Sequence, residues 1–175
     1  MNKSRAAGLF LSLALGCNRA GTAPDPDLAS AAQFVRAFYQ WYVPAAQAGT
    51  GLQRAMQDSS ALFAPVLVRA IEADGEAQAK NPDEVVGLDG DPFLDAQDFC
   101  PPYEVGSARR DAGAVLVELR GNCAGRTDSV PDVLAELHGS PGAWVFTNFR
   151  YPGRNSDLMK DLEELRRQRE APPKS

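Results

Sequence analysis

The hydrophobic period of this sequence switches once along the chain, and the switch restricts the folds open to it. Up to about residue 80, apolar side chains recur at helical spacing. Ala31, Phe34, Val35, Phe38 and Tyr42 make one face, and Leu52, Ala55, Met56, Leu62 and Phe63 make a second. Pro65 opens a third, carrying Val66, Leu67, Ala70 and Ile71, because proline suits a first helical turn but breaks a helix interior. Beyond Pro102 the period becomes two. Pro102 to Ala108 reads as a short strand, Val115, Val117 and Leu119 alternate with Leu116, Glu118 and Arg120, and Val133, Ala135 and Leu137 continue the pattern. In the last strand Trp144 and Phe146 oppose Val145, Thr147, Phe149 and Tyr151. Helices followed by antiparallel strands define an α+β domain, with N-terminal helices packed on one face of a curved antiparallel sheet of about four strands.

Local signals set the element ends. Asp25 is placed to cap the first helix, Pro26 fits its first position, and Pro44 ends it near Val43. Asn155 or Ser156 caps a C-terminal helix whose Leu158, Met159, Leu162 and Leu165 face inward and whose Glu163 pairs with Arg167. From Arg166 the apolar partners run out, so residues 169–175 read as a disordered tail after a single domain at 27–168. With 44% hydrophobic residues the chain can fill a core, which excludes general disorder. Its 18 Lys+Arg stand against 23 Asp+Glu with no basic stripe, which leaves no electrostatic basis for holding nucleic acid.

The first 16 residues read as a targeting leader. Lys3 and Arg5 precede an apolar run from Ala6 to Leu15, far short of the roughly 20 residues that cross a bilayer as a helix. Leu13-Ala14-Leu15-Gly16-Cys17 resembles the lipobox of bacterial lipoproteins, with Ala14 where Leu is commoner. The resemblance implies cleavage before Cys17 and acylation of that cysteine with palmitate-type chains. Several such chains hold a protein on a membrane without a spanning helix. Residues 17–26 then form a tether, and Asn18, in the absence of Asp there, directs the chain by the same resemblance to the periplasmic side of the outer membrane. Loss of Lys3 and Arg5 takes the net charge from −5 to −7. The alternative is a secreted protein cut near Ala20 or Ala23, with Cys17 discarded.

Between Asn81 and Pro102 the periodicity disappears. This stretch holds Asp83, Glu84, Asp89, Asp91, Asp95 and Asp98 with no basic residue, and so long a loop in a compact domain invites a functional reading. Asp91, Phe93, Asp95, Gln97 and Asp98 are its candidate functional residues. One reading has Phe93 and Leu94 packed inward while Asp91, Asp95, Gln97 and Asp98 cap backbone groups. Another supplies oxygens to Ca²⁺, although the EF-hand order and closing Glu are missing. Asp95 or Asp98 would serve as base in an enzyme, but no spacing singles either out. With Cys17 lipidated, Cys100 and Cys123 remain, and an oxidising envelope permits a disulfide between them. It would staple the loop to the sheet with about 3 kcal/mol. Two buried free thiols are the alternative, and a zinc site using His138 lacks its further ligands. His138 is the only histidine, and no Gly-x-Ser-x-Gly elbow accompanies it. No catalytic, cofactor or metal residues are therefore assigned.

Three segments carry a family resemblance: Phe38-Tyr39-Gln40-Trp41-Tyr42, then Asp91-Pro92-Phe93-Leu94-Asp95-Ala96-Gln97-Asp98, then Trp144-Val145-Phe146. Together they resemble the bacterial lipoprotein group called domain-of-unknown-function 3828, over roughly Phe34 to Tyr151. The helix-then-strand order also resembles the cone-shaped nuclear transport factor two-like and cystatin-like folds. The resemblance implies a membrane-anchored envelope protein without a catalytic role, binding or scaffolding another envelope component. The alternative is a small-ligand carrier or small enzyme that uses the interior of the cone. The C-terminal helix and the cysteine pair depart from the family pattern.

Overall fold

A computed structural model describes residues 25–123, 126–127 and 129–171. The leader, Cys17 and the tether as far as residue 24 lie outside the described residues, as does the tail from residue 172.

Helix α1 spans Pro26–Gln47, with Asp25 Oδ1 accepting from the Asp27 backbone N–H at 2.9 Å. It outlasts the expected stop at Val43, because Pro44 sits in the last turn, where only one intrahelical bond is forfeited. α2 (Gly51–Asp58) is followed by a 3₁₀ turn (Ser60–Leu62), and α3 (Pro65–Ala79) begins at the expected joint after Ala64. The strands are β1 (Tyr103–Asp111), β2 (Ala114–Cys123), β3 (Arg126–Thr127), β4 (Val133–His138), β5 (Val145–Tyr151) and β6 (Ser156–Asp157). They form one antiparallel sheet in the order β1-β2-β4-β5-β6, with β3 paired to β2. Four of these strands are long, and the two-residue β3 and β6 extend the expected count. Helix α4 (Leu158–Glu170) closes the fold. The architecture is α+β, as the order of hydrophobic periods requires.

The last strand corrects the sequence reading. Strict alternation would put Trp144 and Phe146 on one face and Phe149 and Tyr151 on the other, yet all four are buried against the helices. A bulge is responsible. Leu137 pairs with Phe146 and Glu136 with Asn148, so one extra residue on β5 resets the face. A second irregularity between Val105 and Ala108 interrupts the free edge of β1, which also blunts that edge against pairing. The turns demand glycine: Gly113 has φ 89°, and at Gly139 a Cβ would overlap the Ala143 carbonyl oxygen.

Two boundaries at the C-terminus also differ. The cap of α4 is Asp157, which accepts from Lys160 N–H at 3.0 Å, whereas Asn155 adopts a left-handed φ of 51° and Ser156 donates instead to Asp161. The helix continues to Glu170, so positions 169 and 170 are not tail. The reason is a buried ion pair: Arg169 donates to Asp74 at 2.6 Å and to the Val86 carbonyl at 2.8 Å.

Candidate functional site

The site starts from the spacing of Tyr39 and Tyr42 on α1. Three positions apart, they share the buried face of the helix, and a buried tyrosine hydroxyl needs an acceptor. Tyr39 donates to the Phe93 carbonyl at 2.7 Å and Tyr42 to Asp91 Oδ2 at 2.7 Å. Tyr151, at the end of β5, donates to the Pro92 carbonyl at 2.8 Å. Three hydroxyls from two elements therefore grip three consecutive residues of the acidic loop. The sequence reading places Tyr42 and Tyr151 in their helix and strand patterns and Tyr39 in the resemblance segment, but assigns no partner to their hydroxyls. A tyrosine at a buried position, whose hydroxyl must find an acceptor, was the available signal.

Asp91 organises the loop from inside. Its Oδ1 accepts from the backbone N–H groups of Phe93 at 3.0 Å and Leu94 at 3.1 Å, and its own N–H donates to the Ala96 carbonyl at 2.8 Å. This turn drives Phe93 and Leu94 into the core, where they are 0% and 1% exposed. The Phe93 ring lies 4.4 Å from Phe149 and 5.2 Å from Phe63, centroid to centroid. Burial raises the pKa of Asp91 above the ordinary carboxylate value, against the lowering effect of the Tyr42 and backbone hydrogen bonds. Burial likewise raises the phenol pKa values of Tyr39, Tyr42 and Tyr151, so these remain donors at any physiological pH.

The other candidates divide. Asp95, at φ 49°, pairs with Arg154 at 3.0 Å, and burial raises its pKa despite that cation. Gln97 donates to the Asp89 carbonyl and to Asp89 Oδ2 at 2.8 and 2.7 Å. Asp98 is exposed and has no side-chain partner among the described residues. Upstream, Gln78 accepts from Val86 and Gly87 and donates to the Asn81 and Glu84 carbonyls, while Asp74 accepts from Leu88. Downstream, Cys100 and Cys123 form the disulfide, with Cα atoms 4.6 Å apart. The loop is thus a strap fastened along its whole length.

Beside it lies an open cleft of about 440 Å³ between residues 87–97 and the first half of α4. Arg154 crosses it, bonded to Asp95 and to Asp161 at 2.8 Å and seated 4.2 Å above the Tyr151 ring. Asp89 and Glu164 stand on its rim, and Leu88, Ala96 and Leu165 form its apolar part. The arrangement suits a basic or amphipathic surface. It holds no nucleophile paired with a base: Asp91 has both oxygens occupied, and His138 is exposed on another element. Among the described residues, no group of three or more His, Cys, Asp or Glu side chains is placed to hold a metal ion.

The interior, by contrast, is filled. Phe38, Tyr42, Phe63, Phe93, Phe146 and Phe149 form one ring cluster between α1 and the sheet, each at most 3% exposed. No family model, curated protein or solved structure matches this chain.

Proposed function

We propose that this chain is an envelope lipoprotein of the domain-of-unknown-function 3828 type, anchored through acyl chains on Cys17, whose domain is a non-catalytic binding or scaffold module for another envelope component. The observation that carries the reading is the filled interior. A carrier or small enzyme built on a cone needs an enclosed space with an inward polar group, and here six aromatic rings occupy that space. What remains for recognition is surface, and the cleft between strap and α4 is its most structured part. In support of the family reading, the three segments that carry the resemblance pack on one another through Tyr39, Tyr42, Phe93 and Phe146. Among the described residues no helix is long and apolar enough to cross a membrane.

The test is crosslinking capture of the acylated protein in its own envelope, alongside a variant with Asp89→Lys and Glu164→Lys. Both side chains are exposed, and the Gln97–Asp89 and Arg167–Glu164 contacts they give up are surface ones of about 1 kcal/mol or less, so the fold should survive. One discrete protein captured by the parent and lost in the variant supports the module. A small molecule retained by the purified domain in native mass spectrometry, with no protein captured, would refute it in favour of a carrier.

A further inference from the structure

The strands give the molecule two ends. The β1–β2 turn at Ala112-Gly113 and the β4–β5 turn at Gly139 to Ala143 lie at the same end, because β2 and β4 are antiparallel neighbours. α1 begins there. Arg110 bonds Asp25 and Asp27, and Trp144 Nε1 donates to Ser30 Oγ at 3.2 Å. The strap is fastened at the opposite end, through Cys123 at the close of β2 and Tyr151 at the close of β5. The ten residues of β2 separate the ends by roughly 30 Å.

The two ends differ in charge. At the turn end, the exposed tips Ala112-Gly113 and Gly139-Ser140-Pro141-Gly142-Ala143 carry no charged side chain. The carboxylates beside them sit on arginines, Asp25 and Asp27 together on Arg110, and Asp111 on Arg150, which Glu136 shares. Between α1 and the β4–β5 turn an apolar groove of about 530 Å³ is open to solvent, lined by Phe34, Ala37, Leu62, Ala143, Trp144 and Val145. At the strap end Asp89 and Asp98 are exposed, and Asp95 and Asp161 share the single Arg154.

We infer that the turn end rests on the bilayer, its apolar groove and two uncharged turns against the lipid headgroup interface, with the acidic strap turned to the aqueous side. This rests on the acyl-anchor reading above. Only eight peptide steps join Cys17 to Asp25, so the start of α1 lies within about 28 Å of the membrane. It reaches the membrane without the tether being stretched only when the turn end faces the bilayer. Anionic headgroups repel the exposed Asp89 and Asp98 carboxylates of the strap end, whereas the turn end meets them with uncharged tips and with carboxylates held on arginines. The same orientation presents the cleft to partners that approach from the aqueous compartment.

The experiment compares amide hydrogen exchange of the acylated protein in vesicles of phosphatidylethanolamine with a minor share of phosphatidylglycerol against a soluble chain beginning at Asn18. Exchange is expected to slow several-fold in peptides covering 112–113 and 139–143 on the vesicles, with residues 83–98 unchanged. A variant carrying Ala37→Glu and Ala143→Glu, both at exposed positions, should float with the vesicles, melt like the parent and lose that slowing. Equal exchange in anchored and soluble chains overturns the inference, as does slowing at 83–98. Slowing of 139–143 in the soluble chain at raised concentration assigns the groove to a second copy and also overturns it. A mature chain without acyl groups sinks the anchor and the orientation together, whereas a chain that floats with unprotected turns sinks the orientation alone.

Discussion

Replacing Asp91 by Ala tests whether one carboxylate holds the strap in place. The substitution strips the acceptor from the Tyr42 hydroxyl and the Phe93 N–H, both on residues with 0% exposure, and weakens the support of Leu94, whose N–H keeps only the Asp91 carbonyl at 3.4 Å. Two buried donors left unsatisfied cost about 1–3 kcal/mol each, so the loss should be about 3 kcal/mol. Tyr42→Phe leaves Asp91 able to reach water through the cleft and should cost only about 1 kcal/mol. Because the two groups share one bond, the double variant should fall short of the sum by about 1 kcal/mol. Urea denaturation followed by circular dichroism measures all three. The pH dependence adds a sign. A carboxyl whose folded-state pKa is raised above its ordinary 3.8 binds its proton more tightly folded than unfolded, so its contribution to stability falls as pH rises from that value through the raised one. Asp91→Asn cannot titrate, so the cost of that variant relative to the parent should shrink as pH rises through this window. A cost that grows with pH, or an Asp91→Ala variant within about 0.5 kcal/mol of the parent, would show that the strap is not built around a half-buried, partly desolvated carboxylate.

Three further outcomes are expected. Reducing the Cys100–Cys123 bridge, or replacing both residues by Ser, should cost about 3 kcal/mol and lower the melting temperature by roughly 10 °C, and a melt indifferent to reductant would contradict the strap's tie to β2. Intact mass of the native protein should show a mature chain starting at Cys17 with acyl chains attached, and Cys17→Ser should release the domain to the soluble fraction without shifting its melt; an unacylated mature terminus would end the anchor reading. Arg169→Met should cost about 3 kcal/mol because it leaves the Asp74 carboxylate, 5% exposed, without its cation, and removing residues 166–175 should cost at least as much. Full stability after that truncation would mean the end of α4 is dispensable.

The period switch was enough to give the fold class, because burial of one helix face and one sheet face is what amphipathic spacing encodes. It failed where a single residue changed the count. The extra residue on β5 reverses the parity of Phe149 and Tyr151, and nothing in Thr147-Asn148 marks a bulge locally, since the bulge is fixed by the pairing of Glu136 and Leu137 across the sheet. Of the strap, Phe93 and Leu94 could be read as inward, and Asp91 as a capping residue. Its anchors could not be read, because Tyr39, Tyr42 and Tyr151 lie 54, 49 and 59 positions away from the residues they hold. Helical spacing placed Tyr42 on the core face with Tyr39 beside it, and strand alternation placed Tyr151, which speaks for their rings and is silent about their hydroxyls. The Asp74–Arg169 pair was hidden for the same reason, with 95 positions between its members.

The acidity of the loop divides by use, and the division bears on what the surface can recognise. Asp91 is spent on three internal donors, Asp89 on Gln97 and Asp95 on Arg154, so these carboxylates stabilise a segment with no regular secondary structure of its own. Ordering such a segment costs backbone entropy of about 1–2 kcal/mol per residue, which the buried Phe93 and Leu94 side chains, the tyrosine hydrogen bonds and the disulfide jointly offset. Asp83, Glu84 and Asp98 take no part in that and point to solvent. They therefore add charge without adding stability, while the interior cation of the cleft, Arg154, is already committed to Asp95 and Asp161. A partner surface that meets this end gains by bringing basic groups to the exposed rim, and gains little by competing for Arg154, whose release would leave two carboxylates unpaired. Binding at the cleft should accordingly weaken with added salt, whereas contact at the apolar turn end should not.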